Sequence, residues 1–564
     1  MYKKYFNNSI IYKYLLIISF CVFSFNTFSQ TDDNKNEVTV VAAYEPTISD
    51  AFKINFNPNI RDSVFEQPTF NYSIQTTKIS TSFQIDPIKP AKIVGEPITK
   101  LYKNLIKFGF GTYTTPYLEL FANSVRSKTY ALGVHVKHLS SSGSITDYAN
   151  SNFSNNAIEI YGRNYFKKAT LDGEVFFHRD VVHYYGFKTA DFPNYNDDAI
   201  RQRYALIGFN TAYTSNYLDT NMVNHQFSLG FYNLSDYYSS HENNVKLGAN
   251  LDKSLKIFDF TDKQTLGFKA NLDYYNNAGD LLASNNSTLI SFKPYISTQF
   301  GEYMFSVGFD ASIATTTGIA TKLHFYPNIE ASLAVIPKIL KIYGGLTGGL
   351  KKNSFKSISD ENPFINTTSP LGFSNKQFEI YGGVNTSLTK AIDFNASISN
   401  TSTDGMPLFV NDTMNLAHNM FTVVYDKVNL LKISAAMLFK YDEKMNIALA
   451  ANLYRYSTDK EAEAWHKPGF DASLTIRYNI SNKIVCRAEV YTFTKMYAKT
   501  FANGVMKSEE ISGMADINLG LEYRYSKILS GFINMNNLGA MRYQNWYNYP
   551  NQRFSFMAGV TYAF

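Results

Sequence analysis

The chain has 564 residues, of which 16% are aromatic and 18% are charged, and its formal net charge is +6. The charged share is below the quarter that is typical of soluble domains, and so small a positive charge gives no basis for expecting a nucleic-acid partner. A mean hydropathy of −0.22 shows that polar residues dilute the apolar ones, as an alternating pattern requires.

Residues 1–30 have the form of a secretory signal peptide. Three lysines accompany an apolar run over 14–23, and small residues precede a cleavage point after Ser29. The run is too short for a stable membrane span, and the bulky residue before Cys21 disfavours lipidation there. Export leaves Cys486 as the single cysteine, so no intramolecular disulfide is expected.

Residues 31–103 differ from the rest because they hold six of the sixteen prolines. Proline lacks the N–H that the hydrogen-bonded ladder of a β-sheet needs, so this stretch is not predicted to form part of a continuous sheet. We expect a short non-barrel segment, extended in the periplasm or threaded through a lumen. Its prolines are Pro46, Pro58, Pro68, Pro87, Pro90 and Pro97.

Residues 104–564 repeat a pattern of alternating apolar and polar residues, clearest over 302–313, 470–479, 512–524 and 552–564. Such alternation is typical of strands with one oily and one wetter face. No apolar run of eighteen residues follows the signal, so we predict an all-β fold, a transmembrane antiparallel barrel of about 22 strands. The strands are expected to begin near Asn104, Pro116, Thr129, Asn156, Lys168, Gln202, Asn224, Asn243, Gln264, Thr288, Glu302, Lys322, Lys338, Gln377, Ile392, Val428, Met445, Pro468, Ile484, Ser512, Ile528 and Gln552.

The predicted connections alternate between short turns and longer loops, as expected for the periplasmic and outer ends of such barrels. Residues 421–426 could form an extra strand. A barrel of this size encloses a lumen that something must fill. The candidates are residues 31–103, inward-folded loops such as 353–376 and 401–427, or another protein.

The sequence shows no motif of a catalytic, cofactor-binding or metal site. On a strand, His135 and His138 point to opposite faces, and His178 and His183 are close in sequence without a ligand spacing. A run of acidic residues over 191–198 could hold calcium, but a solvated loop is the simpler interpretation. We therefore predict neither an enzyme nor a cofactor.

A short β-branched segment follows the signal, where an edge strand could pair with a periplasmic partner by β-augmentation. The simpler alternative is a small strand that docks on nearby residues. The segment consists of Glu37, Val38, Thr39, Val40 and Val41.

These features resemble TonB-dependent receptors. The segment Glu37–Val41 is similar to their TonB box, residues 536–543 and 550–564 are similar to their last two strands, and 22 is their strand number. Phe564 resembles the residue that barrel-assembly machinery recognises, and the composition resembles outer-membrane proteins of the Bacteroidota. The family also carries a globular plug of well over a hundred residues, for which 46–103 is too short.

The resemblance implies an outer-membrane barrel of a Gram-negative bacterium that acts in solute uptake or as a gated channel. Its implied partners are outer-membrane lipid, the barrel-assembly machinery, and TonB or another periplasmic or outer-membrane protein. The alternative is a non-transporting scaffold in an outer-membrane assembly, secretion or surface-binding complex.

Overall fold

The computed structural model describes residues 101–564 apart from 260, 262–263, 283, 414 and 503–504. The described residues belong to one compact unit, Gly95–Phe564. Among them, no helix combines the length and apolarity needed to cross a membrane.

Twenty-two strands form one antiparallel sheet, numbered here in chain order. The first eleven are β1 (Asn104–Gly111), β2 (Thr115–Asn123), β3 (Tyr130–Ser141), β4 (Phe153–Tyr165), β5 (Ala169–His183), β6 (Arg201–Ser215), β7 (Asn224–Ser235), β8 (His241–Leu255), β9 (Gln264–Ala278), β10 (Asn285–Phe300) and β11 (Tyr303–Thr316). The next eight are β12 (Ile319–Ile336), β13 (Leu340–Lys352), β14 (Phe373–Thr389), β15 (Ile392–Asn411), β16 (Phe421–Tyr441), β17 (Met445–Thr458), β18 (Phe470–Ile480) and β19 (Ile484–Phe493).

The remaining elements include three more barrel strands and a few that lie outside the barrel sheet. Helix α1 (Phe355–Glu361) lies between β13 and β14. Two small hairpins, β20 (Met496–Ala502) with β21 (Val505–Ile511) and β24 (Gln544–Trp546) with β25 (Tyr549–Pro550), form separate sheets. The last barrel strands are β22 (Met514–Arg524), β23 (Leu529–Asn536) and β26 (Ser555–Ala563).

The sheet closes on itself because β1 pairs with both β2 and β26. A closed sheet has no unpaired edge. The predicted barrel of 22 strands is therefore confirmed. The largest departure is β16, which begins at Phe421 rather than near Val428, so residues 421–426 are the first part of that strand and not an additional one.

Alternation sorts the side chains between the two faces of the wall. In β22, Ile517, Leu519 and Leu521 are exposed on the outer face, whereas Asp516 and Asn518 are less exposed on the inner one. Exposed large apolar side chains occupy outer positions on strand after strand around the ring. This apolar outer face is the surface that a lipid bilayer would solvate.

Inner-facing tyrosines pack over glycines of neighbouring strands. The ring of Tyr295 covers Gly267, and the ring of Tyr381 covers Gly345. A Cβ atom at either glycine would collide with the tyrosine ring, so only glycine allows these rings to lie flat against the inner wall.

Candidate functional site

The two ends of the barrel differ in how their strands are connected. The turn end carries short connections, such as 301–302 and 390–391, together with Phe564. The loop end carries most of the longer ones, including 353–372, 494–513 and 537–554. This alternation follows the pattern predicted from the sequence.

The loops at the loop end pack together into one structure, which we call the cap. Its largest hydrophobic cluster contains Tyr204 of β6, Phe421 of β16 and Tyr549 of the β23–β26 connection. Strands β6 and β16 stand ten places apart in a ring of 22, so their side chains share a cluster only because loops reach across the mouth. The cap consists of residues 142–152, 184–200, 353–372, 412–420, 459–469, 494–513 and 537–554.

Tyr549 lies at the centre of the cap and is 2% exposed. Its ring stacks on Phe364 with centroids 3.8 Å apart and meets the edge of Tyr185 at 4.8 Å. Its hydroxyl donates to the backbone carbonyl of Asn419. One side chain therefore joins four loops: 184–200, 353–372, 412–420 and 537–554.

Buried hydrogen bonds also join these loops. The Tyr184 hydroxyl donates to the carbonyl of Ile365 at 2.9 Å, and the Tyr204 hydroxyl donates to that of Pro363 at 3.0 Å. The Asn419 side chain donates to the carbonyl of Tyr184 at 2.5 Å. Because buried backbone carbonyls need a donor, these bonds hold the loops in one arrangement.

Glu242, at the start of β8, anchors loop 353–372 to the wall. Its carboxylate is fully buried and accepts the backbone N–H groups of Phe355 at 2.7 Å and Lys356 at 3.1 Å. The Tyr232 hydroxyl donates to the same carboxylate at 2.8 Å. The first turn of α1, in loop 353–372, is thereby tied to β8, which lies five strands from β13, the strand that precedes the loop.

Asp426, near the start of β16, anchors loop 459–469 in a similar way. Its carboxylate accepts the backbone N–H groups of Asp459, Lys460 and Glu461 at 2.9–3.1 Å. Burial alone would raise its pKa, but these hydrogen bonds together lower it. The carboxylate thus stays charged and holds the loop.

His466 is a buried histidine within the same loop. Its Nδ1 donates to the carbonyl of Phe409 at 3.0 Å, and its Nε2 accepts the N–H of Tyr547 at 3.3 Å. The ring packs against Phe421 and Trp546. Both hydrogen bonds require the neutral imidazole, and burial lowers the pKa of His466 to about 4.

Acid is therefore expected to loosen the cap at His466. A histidine has a pKa near 6.5 when unfolded, so the neutral folded form stabilises the cap fully above that pH and progressively less as the pH falls towards 4. The loss reaches about 3 kcal/mol by pH 4. Amide hydrogen exchange at pH 7, 5.5 and 4, expressed relative to the intrinsic exchange rate at each pH, should show that loops 459–469 and 537–554 lose protection as the pH falls. In His466→Gln, which cannot take up a proton in this range, the loss of loop protection between pH 7 and pH 4 should be smaller. An unchanged pH profile in that variant would show that His466 is not the group that responds to acid.

The sequence-predicted sites fall in different places. The TonB-box-like residues Glu37–Val41 lie outside the described residues, so that interpretation stays a prediction, as does the assembly role of Phe564. The acidic run 191–198 belongs to the cap. No described group of three or more metal-ligating side chains is placed to hold an ion.

The two histidines of the pair His135 and His138 lie on opposite faces of β3. His135 faces the lumen, where its two ring nitrogens meet Glu119 at 3.2 Å and Glu159 at 3.0 Å. His178 meets the other oxygen of Glu159 at 2.9 Å. His138 points to the opposite face and hydrogen-bonds with Asn156, as strand geometry predicts.

Sequence reasoning missed the cap core. It named the loop 353–376 as a possible filler, and residues 353–372 do enter the cap. It also named 401–427, but most of that range is strand and only 412–420 is loop. The available signal was the position of the tryptophans, since Trp465 and Trp546, the two in the chain, both fall at the loop end.

No protein-family model matches this chain, and no curated protein matches it in sequence. Solved structures do match. The ferric-catecholate import receptor Fiu of E. coli K12 superposes with a TM-score of 0.61 at 10% identity, over 83% of this chain and 82% of that one.

Two further structures give the same picture. The FrpB iron transporter of Neisseria meningitidis has a TM-score of 0.62 at 9% identity, over 83% of this chain and 82% of its own. The siderophore receptor PirA of Acinetobacter baumannii has a TM-score of 0.60 at 9% identity, over 83% and 81%. The chain therefore shares the closed barrel fold of these receptor and transporter structures.

Proposed function

We propose that this protein is a receptor-type transport barrel of the Gram-negative outer membrane, closed on its outer side by the cap. The observation that carries the proposal is the single hydrophobic cluster in which residues of β6, β16 and the β23–β26 connection meet. Short turns face the periplasm in such barrels, so the loop end, and with it the cap, faces outward.

The need for a gate follows from the size of the ring. Twenty-two strands enclose a lumen wide enough for a channel unless something blocks it. The cap supplies a closed state at one end. Passage of a solute then requires the loops to separate. A ligand or partner could shift the equilibrium between the closed and the open cap by acting on the few residues that hold the loops together. These residues are Glu242, Asp426, His466 and Tyr549.

The source of energy is a second part of the proposal. We expect Glu37–Val41 to pair with TonB by β-augmentation, and residues 31–103 to occupy the lumen or its periplasmic opening. Iron-siderophore uptake, which the names of the structural neighbours describe, is one candidate activity.

Liposome swelling tests the gate. Liposomes that hold the full-length protein should swell slowly in sugars of increasing size. A chain in which residues 355–369 are replaced by a Gly/Ser linker should let the same sugars enter rapidly, because the replaced segment carries Phe364, α1 and the bonds to Tyr184 and Tyr204. Rapid swelling with both proteins would show that the cap is not the barrier.

Slow swelling with both proteins would mean that something besides the cap blocks the lumen, either residues 31–103 or the permanent block that the scaffold alternative requires. One observation supports that alternative. The hairpin β20–β21 pairs with no barrel strand and exposes Phe501, Val505 and Met506. An exposed apolar hairpin is a surface suited to a protein partner.

A further inference from the structure

The turn end of the barrel carries a ring of lysines that we call the lysine collar. Nine exposed lysines fall in eight of the ten turn-end connections. All ten turn-end connections together hold five exposed acidic residues among those that the structure describes. The collar consists of Lys128, Lys167, Lys168, Lys256, Lys338, Lys390, Lys444, Lys483 and Lys527.

The collar lysines differ from those at the loop end in how they are paired. In the connections that the structure describes, five of the seven loop-end lysines contact a carboxylate, as Lys467 does with Glu361 at 2.6 Å and Lys499 with Glu461 at 2.7 Å. In the collar only Lys256 does, with Asp259 at 3.6 Å. Among the residues that the structure describes, the other eight collar lysines therefore have no carboxylate as a counter-ion.

A belt of outward-facing aromatic side chains places the collar relative to the membrane. Aromatic residues gather at the boundary between lipid tails and headgroups in membrane barrels. Four of the nine belt residues lie within three positions of a collar lysine, which puts those ammonium groups near headgroup level. The belt consists of Tyr130, Phe166, Phe300, Tyr303, Tyr441, Tyr478, Tyr523, Tyr525 and Phe564.

We propose that the lysine collar binds the phosphate groups of anionic phospholipids in the leaflet at the turn end, around most of the barrel circumference. A lysine ammonium is a compact donor that suits a phosphate oxygen, and its long stem can run along the apolar outer face towards the headgroups. Each basic residue near an anionic bilayer surface strengthens the attraction roughly fivefold. The collar thus selects a lipid and fixes the height of the barrel in the bilayer.

Native mass spectrometry of the full-length protein tests this. The protein is released from mixed micelles that hold equal amounts of phosphatidylglycerol and phosphatidylcholine. We expect it to retain phosphatidylglycerol at least about tenfold more than phosphatidylcholine. The triple variant Lys167→Gln, Lys444→Gln and Lys527→Gln should lose most of that preference, and the same three positions changed to Arg should keep it.

A matched triple at the loop end serves as the control. Lys188, Lys351 and Lys460 are exposed there, and their change to Gln should leave the lipid preference intact. Equal retention of the two lipids by the unmodified protein would overturn the proposal. So would an equal loss in both triples, or an acidic protein that co-purifies with the unmodified chain in place of lipid. Because the readout is bound lipid, this result is independent of whether the barrel transports a solute.

Discussion

Tyr549→Ala is expected to open the cap while the barrel stays folded. The change removes a fully buried aromatic ring that packs on Phe364, Tyr185 and Phe421, and it leaves the carbonyl of Asn419 without its donor. Truncation of such a ring costs about 3–5 kcal/mol. The cost falls on the loops, because the hydrogen-bonded ladders of the wall do not involve this side chain.

Hydrogen exchange followed by mass spectrometry measures this effect. Peptides from loops 184–200, 353–372 and 537–554 should exchange much faster in the variant, and peptides from β9 and β10 should not change. The control is Tyr549→Phe, which keeps the ring and loses only the hydroxyl, at a cost of about 1 kcal/mol. If the alanine variant exchanged like the unmodified protein, Tyr549 would not be the centre of the cap.

Leu519→Arg is the second change with a large expected effect, and it acts on the wall. Leu519 lies in the middle of β22, is 37% exposed on the outer face and pairs with Ala488 and Met535. An arginine at this depth faces lipid tails, which costs roughly 2–4 kcal/mol. Urea unfolding in lipid vesicles should show this loss of free energy of unfolding.

The control for that change must face the lumen and have no hydrogen bond to lose. Asn518 is unsuitable because its side chain accepts the backbone N–H of Asn537 at 2.9 Å. Thr475 of β18 is suitable, since it faces inward and lies beside Glu489 across the sheet. Thr475→Arg should change stability little. Equal losses in the two variants would mean that the assigned faces are wrong.

The barrel could be predicted from the sequence because lipid imposes a simple rule. Within the membrane one face of each strand must be apolar, and the period of two is then visible. Above the membrane both faces may be polar. Strand β16 begins there, with Asp426 and Lys427 side by side and a bulge opposite them between Thr403 and Met406. The alternation is lost at this point, so the sequence predicts a loop where the strand begins.

The cap could not be predicted in this way. Its contacts join residues far apart in the chain, such as Tyr185 and Tyr549, whose rings meet only after the barrel has closed. Loop residues follow no periodic pattern from which such a contact could be predicted. In the sequence, nothing distinguishes His466 from the other eight histidines. Its role becomes visible only in the structure, through its hydrogen bonds to the backbone of Phe409 and Tyr547.

The seam between β1 and β26 has a consequence for how the molecule is made. Thr112 and Phe556, which hydrogen-bond across it, are 444 positions apart. Contacts of such separation form slowly, and until they form both terminal strands expose unpaired N–H and C=O groups that invite aggregation. A nascent chain must therefore keep the free margin of its first strand shielded, by a helper protein or by the bilayer surface, until the final strand arrives to complete the circle.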